Sequence, residues 1–188
     1  MLSFLHRASP ALLLGLALSL AACDDATGAG GETDDRHVSF QFSGARSGSF
    51  LAEGAPPANH PSQATWVAAE RDAEFDEILI YGAQRRTQAG HDAVALLVPD
   101  DGPGTYTLVG DCETGCADVK LYFGSTPGEA TEEVCTLLTG TVRVDAVSQG
   151  RIRGVFSGEG RCYDPAQPGQ PQIAVRSGEF DVPVTDAV

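Results

Sequence analysis

Lysine is almost missing from this chain. Of its 12 basic residues only Lys120 is a lysine, and 26 acids set the formal charge at −14. So acidic a surface argues against nucleic acid and against anionic headgroups as partners. Nowhere is there a run of the ~20 apolar residues that a membrane-crossing helix needs. Trp66 is the only tryptophan, Met1 the only methionine, and aromatics make up 7% of the residues. No Gly-x-Ser-x-Gly elbow occurs, and histidine is limited to His6, His37, His60 and His91. Convincing helical periodicity is also missing, which leaves short period-two segments and turn residues to build the fold.

Residues 1–22 stand apart. His6 and Arg7 form a short basic region, 11–20 is an apolar run, and small residues follow. This is the pattern of a secretory signal, not of a spanning helix. It ends Leu20-Ala21-Ala22-Cys23, which resembles the lipobox of bacterial lipoproteins. The resemblance implies cleavage before Cys23, lipidation of that cysteine and a membrane partner reached through the lipid. Several acyl chains on one residue anchor stably where one chain does not. Loss of 1–22 removes Arg7 and no acid, so the charge moves from −14 to −15. The expected place is the bacterial cell envelope, outer membrane ahead of inner. Asp24 resembles the inner-membrane retention signal of enterobacteria-like lipoproteins, a rule that other bacterial groups do not follow. Residues 24–36, acidic and glycine-rich with nothing apolar larger than Ala, form a flexible tether. Its expected reach is about 20 Å.

The rest, 37–188, reads as one domain organised around a β-hairpin over 134–162. Val142, Val144 and Ala146 alternate with Thr141, Arg143 and Asp145; Ile152, Gly154 and Phe156 alternate with Arg151, Arg153 and Ser157. A three-residue loop at 148–150, with Gly150 left-handed, sets Val142 opposite Phe156, Val144 opposite Gly154 and Asp145 opposite Arg153 as an exposed ion pair. It also brings Cys135 within one residue of Cys162, a gap that a bulge in Gly158-Glu159-Gly160 would close.

Further strands are expected at 37–43, 48–53, 65–69, 77–83, 93–98, 105–109, 117–123 and 172–184. A turn falls at 73–76 and a bulge at Ser177-Gly178, where the buried face changes parity. Proline-bearing 54–61 and 163–171 are loops, as are 99–104 and 124–133. The expected fold is all-β: a β-sandwich or flattened barrel of about nine or ten mostly antiparallel strands. The order of Ser47–Phe50, Gly104–Tyr106, Gly140–Val142, Gly154–Phe156 and Ser177–Phe180 is similar to a domain type of bacterial lipoproteins to which no activity is attached. That resemblance implies no catalytic residues.

Four cysteines remain beside Cys23. An even number in an exported chain reads as two disulfides. Proximity and hairpin register favour Cys112–Cys116 with Cys135–Cys162, and the alternative is Cys116–Cys135 with Cys112–Cys162. Cys112 and Cys116 with Asp111, Glu113 and Asp118 also have a spacing that zinc sites use, but export favours the disulfide. The acidic stretches 70–77 and 100–102 offer oxygens to Ca²⁺ without matching an EF-hand. His91-Asp92 has the look of half a catalytic pair, but a triad is defined by geometry, and the histidines are expected exposed, in or beside loops. Trp66, Tyr81, Tyr106, Tyr122 and Tyr163 are candidates for a platform binding sugar or peptide, against the plainer reading of cross-strand packing. Tyr122 stands out because it falls on the polar face of its strand.

No catalytic residue, metal site or cofactor is assigned. The expectation is a non-enzymatic structural or interaction domain displayed on a membrane surface, with an envelope protein or a small ligand as partner. The alternative is a binding module for a small apolar or carbohydrate ligand held between sheets or in a barrel; a hydrolase is the remote third reading. A filled core with an apolar surface patch marks the first. A cavity of ~300 Å³ or more, lined by residues such as Trp66 and Tyr106, marks the second.

Overall fold

Ten strands and no helix make up the described residues, as the period-two patterning expects. The computed structural model describes residues 35–58, 64–86, 90–110, 112, 115–125, 133–163 and 169–186. All of these lie in the unit Asp34–Val188. The leader, Cys23, most of the tether, His60, Asp111 and Glu113 lie outside the described residues.

The strands are β1 (His37–Gly44), β2 (Gly48–Glu53), β3 (Trp66–Asp72), β4 (Glu77–Arg85), β5 (His91–Pro99), β6 (Gly104–Thr107), β7 (Asp118–Ser125), β8 (Glu133–Ser148), β9 (Arg151–Tyr163) and β10 (Gln172–Asp186). They pair in the order β2-β1-β10-β3-β4-β5-β7-β8-β6, and β9 joins β8 to β10. β3, β4, β5, β7, β8, β9 and β10 therefore close a ring. Every pairing between these strands is antiparallel except β10 with β3, and outside them Leu108 forms a parallel bridge to Ala117. The ring is not a regular barrel, because its two long strands each divide one edge between two neighbours. β8 pairs with β7 through residues 133–136 and with β6 through 141–144. β10 pairs with β1 through 173–181, then in parallel with β3 through 184–186. Both strands serve as corners, giving two packed layers.

The interior is filled by the alternate residues that the pattern assigned to it. Phe40 stacks on Phe50, with centroids 4.8 Å apart, and meets Phe156 edge-on at 5.6 Å. Phe50 and Ala52 of β2 reach across to Gly82 of β4, where a Cβ would stand 3.2 Å from that of Ala52. Arg71 secures the parallel seam: its Nε donates to Asp100 at 2.6 Å and its Nη1 to Asp186 at 3.2 Å. The bulge at Ser177-Gly178 is present, with Ser177 at φ 53°.

The hairpin forms with Val142 opposite Phe156 and Val144 opposite Gly154, but three details differ from expectation. The turn has two residues: Ser148 pairs with Arg151, and Gln149 and Gly150 both have positive φ, 52° and 70°. That is the mirror-image turn whose twist suits a hairpin. The bulge that aligns the cysteines lies on β8, where Leu138 is the extra residue between Leu137 and Thr139. The glycines opposite explain it: a Cβ on Gly160 would come within 2.7 Å of the Leu137 Cα, so their absence lets β8 lean onto β9. A second bulge at Asp145 puts Ala146 opposite Arg153. Asp145 instead takes a hydrogen bond from its strand neighbour Arg143, at 2.8 Å.

Candidate binding face

Ring closure lines up residues that are far apart in sequence. Trp66 pairs with Ala83, Ala83 with Ala93, Ala93 with Tyr122, Tyr122 with Val134 and Val134 with Tyr163. This lane crosses six strands on the outer face of the sheet, since Val67, Val94, Leu121 and Cys135, the neighbours with opposite parity, are fully buried. At ~4.8 Å per strand, about 14 Å separates Trp66 from Tyr122 along it. Its alanines are closed over by their neighbours, Ala83 at 4% and Ala93 at 3% exposure. Trp66 and Tyr122 are half-buried, and Tyr163 is 62% exposed. Tyr81, one diagonal step away, brings its ring centroid to 5.2 Å from that of Trp66.

A second lane runs beside the first: Ala68, Tyr81, Ala95, Lys120, Thr136, Arg161 and Gln172 in successive register. It starts apolar and turns polar. Past Arg161 the surface opens into a groove of about 350 Å³ lined by Ser43, Leu138, Thr139, Glu159, Arg161 and Gln172 among others. The Lys120 ammonium lies 3.1 Å from Asp118, and Arg86 lies 3.2 Å from Asp92. Lys120 in the second lane is thus matched by a carboxylate, while Arg161 donates its Nη1 to the Gln170 side-chain oxygen at 3.2 Å. Asp118 is itself buried, and its Oδ1 has no hydrogen-bond partner; Lys120 engages the other oxygen.

Four of the five aromatics singled out in the sequence, Trp66, Tyr81, Tyr122 and Tyr163, share this face. Tyr106 does not: it packs against the core and donates its hydroxyl to the Gly102 carbonyl at 2.7 Å. Burial, and next the charges of Asp101 and Asp100, push its pKa above the usual 10.0. Trp66 and Tyr106 therefore line no common cavity.

His91 is not exposed as expected. It opens β5 and is 8% exposed, with Asp92 beside it at 7%. The Asp92 carboxylate is committed to structure, accepting from the Gly124 amide at 3.0 Å and pairing with Arg86. His37 opens β1, with its Nδ1 3.0 Å from the Asp35 carbonyl. Disulfides join Cys112 to Cys116 and Cys135 to Cys162. Glu133 gathers with Cys135 and Cys162 closely enough to hold a metal, but both sulfurs are spent in the disulfide and Arg46 occupies the carboxylate. Within the acidic stretch 70–77, Asp72 caps the turn at Glu74, and its neighbour Arg71 draws in Asp100. Asp72 Oδ1 and both Asp100 oxygens are thus engaged within the fold.

Comparison of the chain with protein-family models, with curated proteins and with solved structures finds no match.

Proposed function

We propose that this chain is a bacterial cell-envelope lipoprotein, held by lipid on Cys23, whose β-domain is a non-enzymatic recognition module. Its contacts are made through the outer face that carries Trp66, Tyr81 and Tyr122. The observation that carries this reading is the contrast between interior and exterior. Phe40, Phe50, Phe156 and Phe180 fill the space in which a ligand carrier would need a cavity, while aromatic side chains remain half-exposed on the sheet's outer surface. Aromatics left at a surface are the residues that recognition sites favour. The commitment of Asp92 to Arg86 and Gly124 supports a structural role for the His91-Asp92 pair.

The anchor is tested in a bacterial host by mass spectrometry of the N-terminal peptide. The expected result is cleavage before Cys23 and a mass gain of acyl chains and glycerol. Cys23→Ala should release the domain from the membrane fraction. A full-length chain with unmodified Cys23 would remove the lipoprotein reading.

A further inference from the structure

The two lanes also carry an inference about ligand chemistry, which rests on the recognition reading above. We infer that the outer face of β3, β4, β5 and β7 binds a neutral carbohydrate chain, stacked on Trp66, Tyr81 and Tyr122 and hydrogen-bonded by the polar lane beside them.

Three features converge on this class. The first is the form of the apolar surface. Trp66 and Tyr81 make one continuous aromatic patch, with rings 5.2 Å apart and inclined by 36°, and Tyr122 follows in the same lane beyond Ala83 and Ala93. The methyls of Ala83 and Ala93 are buried between the rings and do not rise above them. A pyranose ring offers a flat face of C–H bonds to such a surface, and an aromatic ring receives it with its π-face. The second is what flanks the patch. Lys120, Thr136 and Arg161 follow one another in the adjacent lane, a set of donors and a hydroxyl placed where sugar hydroxyls would project. Apolar contact along one side and fixed polar groups along the other is how sites for small polar ligands orient them.

The third feature is charge. The chain carries −14 overall, and on this face Lys120 is paired with Asp118. That pair leaves Lys120 no net charge to oppose the chain's strongly negative field, which repels a polyanion and leaves a neutral polar chain unaffected. Partnership by strand addition has no opening here, because β4, β5 and β7 are each paired on both sides. Lys120 and Thr136 also interrupt the apolar area that a second protein would need for a stable interface of ~800 Å² per partner.

The chain has a built-in reporter. Trp66 is its only tryptophan, so tryptophan emission reads this face alone. The experiment uses the full-length protein in detergent micelles, titrated with cellohexaose, chitohexaose, xylohexaose and mannohexaose, and with the anionic hexamer of galacturonic acid. At least one neutral hexasaccharide should shift the Trp66 emission saturably. Tyr81→Ala and Tyr122→Ala should each weaken that binding by tenfold or more. Ala95→Gln, which keeps every ring and raises the floor beside them, should do the same. Leu51→Ser, on β2 away from the lanes, should leave it unchanged. The inference is overturned if no neutral hexamer saturates the signal, if the galacturonate binds as well as the neutral sugars, or if Ala95→Gln folds with unaltered binding. Lipidation of Cys23 read on the same sample separates the two proposals. A lipidated chain that ignores all sugars removes the ligand class alone, and an unlipidated chain that binds them removes only the anchor.

Discussion

Cys135 of β8 stands directly opposite Cys162 of β9, and it does so because Leu138 bulges out of the ladder between them and the turn. The bond closes a loop of 27 residues' separation at the corner where β8 passes from β7 to β6. Loop-closure entropy makes such a ring worth roughly 3.5 kcal/mol. The double variant Cys135→Ala/Cys162→Ala should lose about that much in urea unfolding and melt on the order of 10 °C lower. Removing Cys112–Cys116, a separation of four, should cost roughly 2 kcal/mol. Equal losses from the two would contradict the entropic account.

Gly178 sits in the β10 bulge with the Phe156 ring against it; a Cβ there would come within 2.6 Å of ring carbons. Phe156 cannot retreat, because Phe40 lies edge-on behind it. Gly178→Ala should therefore destabilise by roughly 2–3 kcal/mol, an overpacking cost. At Gly82 the corresponding contacts are 3.2 Å or longer and involve the methyls of Ala52 and Val94, so Gly82→Ala should cost about 1 kcal/mol or less. Denaturant midpoints with unchanged m-values decide the ranking.

Most of the strand positions were legible because parity survives in a half-buried sheet. Val38 and Phe40, Val119 and Leu121, Ile152 and Phe156 alternate in the sequence and are buried in the structure. Parity also revealed the bulge at Ser177-Gly178, where the alternation slips. It did not reveal Leu138 or Asp145, because a bulge that expels a leucine to solvent leaves no mark in a polar–apolar pattern. The binding face was legible only residue by residue. Tyr122 stood out by its polar-face position, but the lane joining it to Trp66 exists only once β3, β4, β5 and β7 are in register, and pairing across the ring is not a local property. His91 misled for a similar reason: a polar residue after a glycine reads as loop, yet pairing of β5 with β4 and β7 buries it.

Tyr106 gives the domain an alkaline limit. Its hydroxyl ionises above 10.0, first because it is buried and then because Asp101 and Asp100 oppose a phenolate. The fold thus holds this proton more tightly than the unfolded chain does. The associated stability is complete below the unfolded value near 10 and is lost as pH rises through the folded one. Tyr106→Phe should be less stable at pH 8 by about 1 kcal/mol, having lost the bond to Gly102. Its stability should then fall less steeply than that of the wild type between pH 10 and 11. Parallel slopes in urea unfolding across that interval would exclude Tyr106 as the source.

Asp92 ties the start of β5 to Gly124 of β7, where the pairing of the two strands shifts register between Tyr122 and Ser125. Replacing it with alanine leaves the Gly124 amide without its acceptor and Arg86 without its partner. The expected cost is roughly 1–2 kcal/mol, since a part-buried donor loses its bond to a charged acceptor. Asp92→Asn keeps an acceptor for Gly124 and should cost about half as much. Hydrogen exchange separates the variants: the Gly124 amide should exchange faster in the alanine variant and stay protected in the asparagine one.

Arg143 and Asp145 form an ion pair within one strand, where Asp145 is the extra residue of a bulge. Both are largely solvent-exposed, so screening keeps such a pair at roughly 0.2–1 kcal/mol. A double-mutant cycle on Arg143→Ala and Asp145→Ala should return a coupling in that interval, shrinking in 0.5 M salt. The same cycle on Arg153 and Asp145 should return none, because Ala146 takes the place opposite Arg153. Without the bulge the outcomes would exchange: regular pairing sets Asp145 across from Arg153, and a coupling there would mean that β8 runs straight through its turn-proximal end in solution.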